Sequence, residues 1–128
     1  MSTRCMIHFG YGENSEAIVY RHYDGYDIPD DMKDFFTELK ENVNDTRFND
    51  PTYLAAKFIV WQAHEYTKKT DYQKESHYLD FLGVSPSLEN HDDIDVCWLV
   101  NCNQSDDNGF PVVKKVPLDF GEENAGVE

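Results

Sequence analysis

Residues 50–68, DPTYLAAKFIVWQAHEYTK, constrain the fold more than any other stretch of the chain. Asp50 is suited to cap a helix and Pro51 to open one, because the first helical N–H has no intrahelical partner to lose. Projected at about 100° per residue, Leu54, Ala55, Ala56, Phe58, Ile59, Val60, Trp61, Ala63 and Tyr66 cover almost every direction. Lys57, His64 and Lys68 mark the narrow polar strip that is left. A helix so apolar is expected to be buried on most sides, with Phe58, Ile59 and Val60 in the core. The rest of the chain should be arranged around it.

The 128 residues fit one domain, expected over residues 1–118, with an acidic and partly disordered tail over 119–128. A chain of this size buries roughly two-thirds of the surface of its unfolded form, so it needs neither disulfide nor metal to fold. Twenty-five acidic residues stand against eleven Lys and Arg, a formal net charge of −14. Such a chain is a poor ligand for nucleic-acid phosphates or an anionic membrane, since both require clustered positive charge. It suits basic partners or cations, or the charge serves solubility alone. The aromatic content of 14 % argues for a packed core rather than disorder. Cys5, Cys97 and Cys102 form no even-numbered disulfide framework. No apolar leader opens the sequence and no stretch approaches the roughly 20 apolar residues of a membrane span. A cytoplasmic protein with free thiols is the expectation.

Two regions carry the alternation of β-strands. In residues 3–9, Thr3, Cys5, Ile7 and Phe9 alternate with Arg4, Met6 and His8, and residues 17–23 return as a β-branched and aromatic partner. Pairing them around a loop over 10–16 sets Arg4 opposite His22 and His8 opposite Ile18. Cys5, Ile7, Phe9, Ala17 and Val19 then share a core face. Arg4, Met6, His8, Tyr20 and His22 share a mixed one, either solvent-facing or a shallow site. Residues 93–102 and 110–116 form the second hairpin, with Pro111 marking an edge strand. Between the hairpins, Asp30 or Asp31 caps a helix whose Met32, Phe35, Phe36, Leu39 and Val43 fall in one apolar stripe, with Val43 its last member. Residues 69–77 read as a loop or a helical extension, 78–84 as a short helix or strand, and 85–93 as a loop. The expected fold is α+β, in two layers: a four-stranded antiparallel sheet of two hairpins covered by an αα-hairpin, in the order ββααββ.

Candidate chemistry concentrates in Arg21-His22-Tyr23-Asp24-Gly25-Tyr26. One reading makes His22 an acid/base oriented by Asp24, with Arg4, His8 and Tyr20 completing a ligand site on the mixed face. The other makes Asp24 and Gly25 a tight turn, Gly25 at positive φ, with Asp24 bonding nearby backbone. The five histidines lack tight ligand spacing, and His91 with Asp92, Asp93 and Asp95 lacks the spacing of a calcium loop. No phosphate loop, nucleophile elbow or zinc-protease motif occurs. No cofactor, metal or catalytic residue is expected.

The opening MSTRC, the segment Tyr20 to Tyr26 and the triplet Asp93-Ile94-Asp95 resemble a group of small uncharacterised bacterial and phage proteins. Those proteins begin Met-Ser/Gly-Thr-Arg and carry Tyr-x-His/Gln-x-Asp-Gly-Tyr-Pro after a first hairpin. Here Asp27 and Ile28 stand between Tyr26 and Pro29, so the turn departs from the pattern. The resemblance implies a shared fold and no established activity.

Three functions compete. The first is a non-catalytic module that occupies a basic surface of a partner protein through Asp24, Asp27, Asp30, Asp31, Asp34, Glu38 and Glu41. By analogy with acidic phage proteins that imitate nucleic-acid charge, its partner would be a host defence protein that binds nucleic acid. A second acidic group, Glu89, Asp92, Asp93, Asp106 and Asp107, would gather at one end of the fold. The second function is a small enzyme or ligand binder built on Arg4, His8, Tyr20, His22 and Asp24, recognisable by a concave pocket joining His22, Asp24 and a third polar group. The third is a self-assembling protein using edge strand 110–116 or Trp61. Monomer and homodimer both stay open.

Overall fold

The structure is a computed structural model that describes residues 3–69 and 83–122. Its elements follow in the order β1 (Cys5–Tyr11), β2 (Asn14–Arg21), a 3-10 turn (Gly25–Asp27), α1 (Ile28–Asn42), α2 (Pro51–Lys69), β3 (Val84–Ser87), β4 (Val96–Ser105) and β5 (Pro111–Val116). The segments 70–82 and 123–128 lie outside the described residues, and with them most of the expected loop and short element at 69–84 and the end of the tail.

The expected four-stranded antiparallel sheet is corrected on two counts. Among the described residues the sheet has five strands in the order β3-β2-β1-β4-β5, and β1 runs parallel to β4. The two hairpins are therefore joined side by side through a parallel pair, with Ile7 beside Trp98 and Phe9 beside Val100. The fifth strand, β3, pairs with β2 and contains Pro86. It lies at the sheet edge, where a residue without an N–H costs no ladder bond. The order becomes ββααβββ.

The first hairpin keeps the anticipated register, with Cys5 opposite Arg21 and His8 opposite Ile18. Its ladder runs further than the expected loop allowed, through a bulge between Phe9 and Gly10 to a turn after Tyr11. Gly10 is required there, because a Cβ would run into the Asn14 carbonyl oxygen.

One face of the sheet packs on the helices. Cys5, Ile7, Phe9, Val19, Val96, Trp98 and Val100 join Met32, Phe35, Phe36, Leu39, Leu54 and Phe58 in the main core, which is dense in edge-on and tilted rings. Asp50 caps α2 as anticipated, its Oδ1 accepting from the Tyr53 N–H at 3.3 Å. Helix α1 starts earlier than expected, at Ile28 with Pro29 in its first turn, so neither Asp30 nor Asp31 is the cap. α2 is less enclosed than its composition implies. Thr52, Ala56, Val60, His64 and Lys68, four residues apart, form an exposed ridge, and Val60 is 66 % exposed. Ile59 is half-buried. The two helices stand side by side on one sheet, so each can bury only the arc that faces the sheet and its neighbour.

The opposite face is covered by the chain itself. Met6, Cys97, Leu99 and Val116 pack with Ile94 and Phe120 in a second, smaller core. Phe120, within the stretch expected to begin the tail, is 7 % exposed and belongs to the packed structure.

Candidate functional site

Four acids of α1, Asp30, Asp34, Glu38 and Glu41, fall within an arc of about 80° at helical spacing and all are exposed. That arc points away from the buried stripe of Ile28, Met32, Phe35, Phe36 and Leu39. Asp24 and Asp27, just before the helix, are exposed as well. Among the described residues none of these six makes an ion pair. The stripe is unfavourable to its own helix: Asp30–Asp34 and Asp34–Glu38 repel at i,i+4, costing about 0.2–0.5 kcal/mol each. Glu38 and Glu41 also lie toward the negative end of the helix dipole.

Asp31 does not belong to that surface. Its Oδ2 lies 2.8 Å from Nη2 of Arg21, and the Arg21 side chain is 1 % exposed. Every other arm of this guanidinium is used. Nε donates to the Tyr23 carbonyl at 2.8 Å, Nη2 to the Asp24 carbonyl at 2.8 Å, and Nη1 to Oε1 of Gln62 at 2.7 Å. The Tyr23 ring lies 5.0 Å from the guanidinium carbon. One buried cation thus ties the end of β2 to the following turn, α1 and α2.

The turn from Arg21 to Tyr26 is held by backbone geometry and close packing. The left-handed residue is Asp24, at φ 51°, and not Gly25. Gly25 is needed for closeness: a Cβ would come within 3.0 Å of Cys5 Cβ, the Thr3 carbonyl and Val96 Cγ1. Its N–H donates to Thr3 and its carbonyl accepts from Trp98 Nε1 at 2.7 Å. These bonds give the turn a structural role.

The residues of the hairpin's mixed face lie at different depths. His8 is 1 % exposed beneath the chain that follows β5. Asn90 Nδ2 donates to the Leu118 and Phe120 carbonyls, so its oxygen is presented to His8 Nε2 at 2.7 Å. Nε2 then carries the proton, and Nδ1 accepts from Ser15 Oγ at 2.6 Å. Phe120 meets the same ring edge-on at 5.1 Å. Tyr20 packs against the edge of the second core, stacked 4.1 Å from His91 and sharing a 2.9 Å hydrogen bond with His22 Nδ1. Burial raises the Tyr20 hydroxyl above its ordinary value. Arg4 pairs with Asp93 at 3.0 Å, and its N–H donates to Asp95. Asp24 lies beyond them in its own turn. The five residues of the ligand-site reading are thus split among a buried layer, a surface stack and a turn. The cleft nearest to them is lined by 86–93 and contains neither His22 nor Asp24.

The second acidic group is divided too. Glu89, Asp92 and Asp93 precede β4, whereas Asp106 and Asp107 follow it, so they sit at opposite ends of a strand about 30 Å long. Asp106 is taken up by its turn, where Oδ1 accepts from the N–H groups of Asn108 and Phe110.

All three cysteines are free, and burial pushes each thiol up from 9.0 to about 12. Below pH 9 both folded and unfolded forms hold these protons. Between pH 9 and about 12 only the unfolded thiols ionise, so stability falls across that window. A urea midpoint lower at pH 10.5 than at pH 8, with the drop reduced in Cys5→Ala, is the expected result. An unchanged drop in that variant would remove Cys5 from the account.

Sequence reading passed over an open groove between α1 and α2. Its α1 wall is Phe35, Glu38, Leu39, Asn42 and Val43, and its α2 wall is Lys57, Val60, Trp61 and His64. Glu38 belongs to both the groove and the acidic stripe, and its Oε1 accepts from Trp61 Nε1 at 3.1 Å. Among the described residues no helix is long and apolar enough to cross a membrane, and no cluster of His, Cys, Asp or Glu is arranged to hold a metal. No protein-family model, curated protein or solved structure matches the chain.

Proposed function

We propose that this protein is a non-catalytic binding module that occupies a basic surface of a partner protein, with the exposed flank of α1 as the contact. The observation that carries the reading is the unpaired acidic stripe Asp30, Asp34, Glu38 and Glu41, continued by Asp24 and Asp27. A helix that keeps like charges in line, Glu38 and Glu41 of them toward the negative end of its dipole, keeps them at a cost that solubility does not require. The same charges dispersed would serve solubility equally well. The net charge of −14 adds a long-range field of one sign, which speeds encounter with a Lys/Arg-lined surface and is screened by salt.

The partner class we favour is a nucleic-acid-binding protein, the kind a phage-type inhibitor would block. The stripe spaces its charges about 5–6 Å apart along the helix, against one phosphate per 3.4 Å along each strand of DNA. It is therefore a dilute imitation of one strand, and charge alone would make it a weak competitor.

Reversing Asp34, Glu38 and Glu41 to Lys tests the reading. With a partner identified by pull-down at low salt, the triple variant should lose at least about 100-fold in affinity, roughly 1 kcal/mol per charge. The dependence of binding on salt should flatten with it. Unchanged affinity and salt dependence would remove α1 as the contact. Because all three side chains are exposed, the variant should fold as the parent does.

A further inference from the structure

We infer that the groove between α1 and α2 receives an amphipathic helix of the partner, with apolar side chains on the groove floor and Lys or Arg along the edge that meets α1. This rests on the reading of α1 as the contact surface and names the form the partner takes there. Both walls have the spacing of a helix face. Phe35, Glu38, Leu39 and Asn42 stand at i, i+3, i+4 and i+7 on α1, and Lys57, Val60, Trp61 and His64 do the same on α2. Two such rows, one on each helix, leave a trough into which a third helix can lay its own row of side chains. The trough encloses about 220 Å³. An engineered apolar cavity of about 150 Å³ takes up benzene, so the space suits a branched or aromatic side chain. Val60, two-thirds exposed on its rim, is the large apolar residue such a contact would cover.

Charge selects the occupant. Glu38 stands on the α1 edge with Asp34 and Glu41 one turn to either side, so the flank of the incoming helix over α1 must be basic. The opposite edge carries Lys57 and His64. A peptide with cations on one flank only would fit in one direction across the groove. A second copy of this chain is disfavoured, since each carries −14 and would bring like charges together. The groove also supplies what the dilute acidic stripe lacks, an apolar anchor beside the charges.

The probe is a synthetic Leu/Lys amphipathic helix of roughly 18 residues, long enough to hold helical form, and a control of equal charge with Gln replacing Leu. Fluorescence anisotropy of the labelled peptides gives affinity, and tryptophan emission, to which the buried Trp98 adds a constant background, reports whether the groove at Trp61 is filled. The Leu/Lys peptide should bind at least ten-fold tighter than the control and shift Trp61 emission to the blue. Val60→Ser should weaken the Leu/Lys peptide about ten-fold and leave the control unchanged, as expected for loss of roughly two buried carbon groups. Equal affinity of the two peptides, with no emission shift, would overturn the groove while leaving the acidic stripe standing. Failure of both peptides to bind at low salt would overturn the stripe and the groove together. Leu/Lys binding that survives reversal of Asp34, Glu38 and Glu41 to Lys would overturn the basic flank assigned to the occupant. Concentration-dependent dimerisation abolished by Val60→Ser would make a second copy the occupant and overturn the proposal.

Discussion

Arg21→Met is expected to destabilise the fold by about 3–5 kcal/mol, because several acceptors lose their donor at about 1–3 kcal/mol for each one left buried. Methionine fills much of the arginine stem's volume, so the loss reports the guanidinium and not a cavity. Without it, Gln62 Oε1 and the carbonyls of Tyr23 and Asp24 lose their donor, and Asp31 loses its counter-charge. Asp31 is 27 % exposed, so water can partly repair that end. Gln62 is 5 % exposed and cannot be reached so easily. Asp31→Asn removes the counter-charge but leaves an amide oxygen that can still accept from Nη2, beside the Tyr23, Asp24 and Gln62 acceptors, so it should cost less, about 1–3 kcal/mol. For a domain with total stability of about 5–15 kcal/mol, the arginine variant gives up a large share. Denaturant unfolding of both variants checks the ranking. A loss below about 1 kcal/mol for Arg21→Met would show that the knot is decorative. Asp31→Asn costing more than Arg21→Met would show that the carboxylate, rather than the guanidinium, organises it.

The knot was legible in principle. Ala17, Val19 and Arg21 alternate onto one face of β2, the face that buries Val19. Gln62 follows Phe58 by one turn of α2, on the side that is buried. Two polar groups forced into the core by opposite periodicities require each other, because neither can be buried unpaired. Met6 and His8 fall by alternation on the mixed face of the hairpin, yet both are fully buried, because the parallel partner β4 and the chain around Asn90 and Phe120 close over them. That pairing could not be read locally. Register within a hairpin follows from a short loop, whereas β1 and β4 lie about 90 residues apart and nothing in either strand specifies the other. Strand β3 was hidden for a different reason: Val-Ser-Pro-Ser carries the residues of a loop, and only its place at the edge makes it tolerable as a strand. Of the candidate site, the acidic stripe was visible as spacing, because an exposed helix face depends only on its own period. The groove was not, since it exists only between two helices whose separation the sequence does not encode. The same applies to Val60, whose apolar side chain faces outward at the rim.

That contrast sets the second large effect. Phe58→Ala is expected to cost about 3–5 kcal/mol, and Val60→Ser, two residues along the same helix, no more than about 0.5 kcal/mol. Phe58 is fully buried, its ring 5.6 Å from Phe35 on α1, 6.2 Å from Phe9 on β1 and 5.9 Å from Trp61. It is the side chain through which sheet and both helices meet. Removing it deletes contacts to α1 and β1 at once and leaves a cavity whose walls are rings, which relax poorly into empty space. Val60 is as apolar by composition but loses almost no burial when truncated. Urea unfolding of the two variants, with equal slopes, gives both numbers. A Phe58→Ala loss below about 1 kcal/mol would mean that α2 does not form the centre of this core. A Val60→Ser loss above about 1 kcal/mol would mean that the ridge is covered in solution, and the groove beside it would then be closed to any partner.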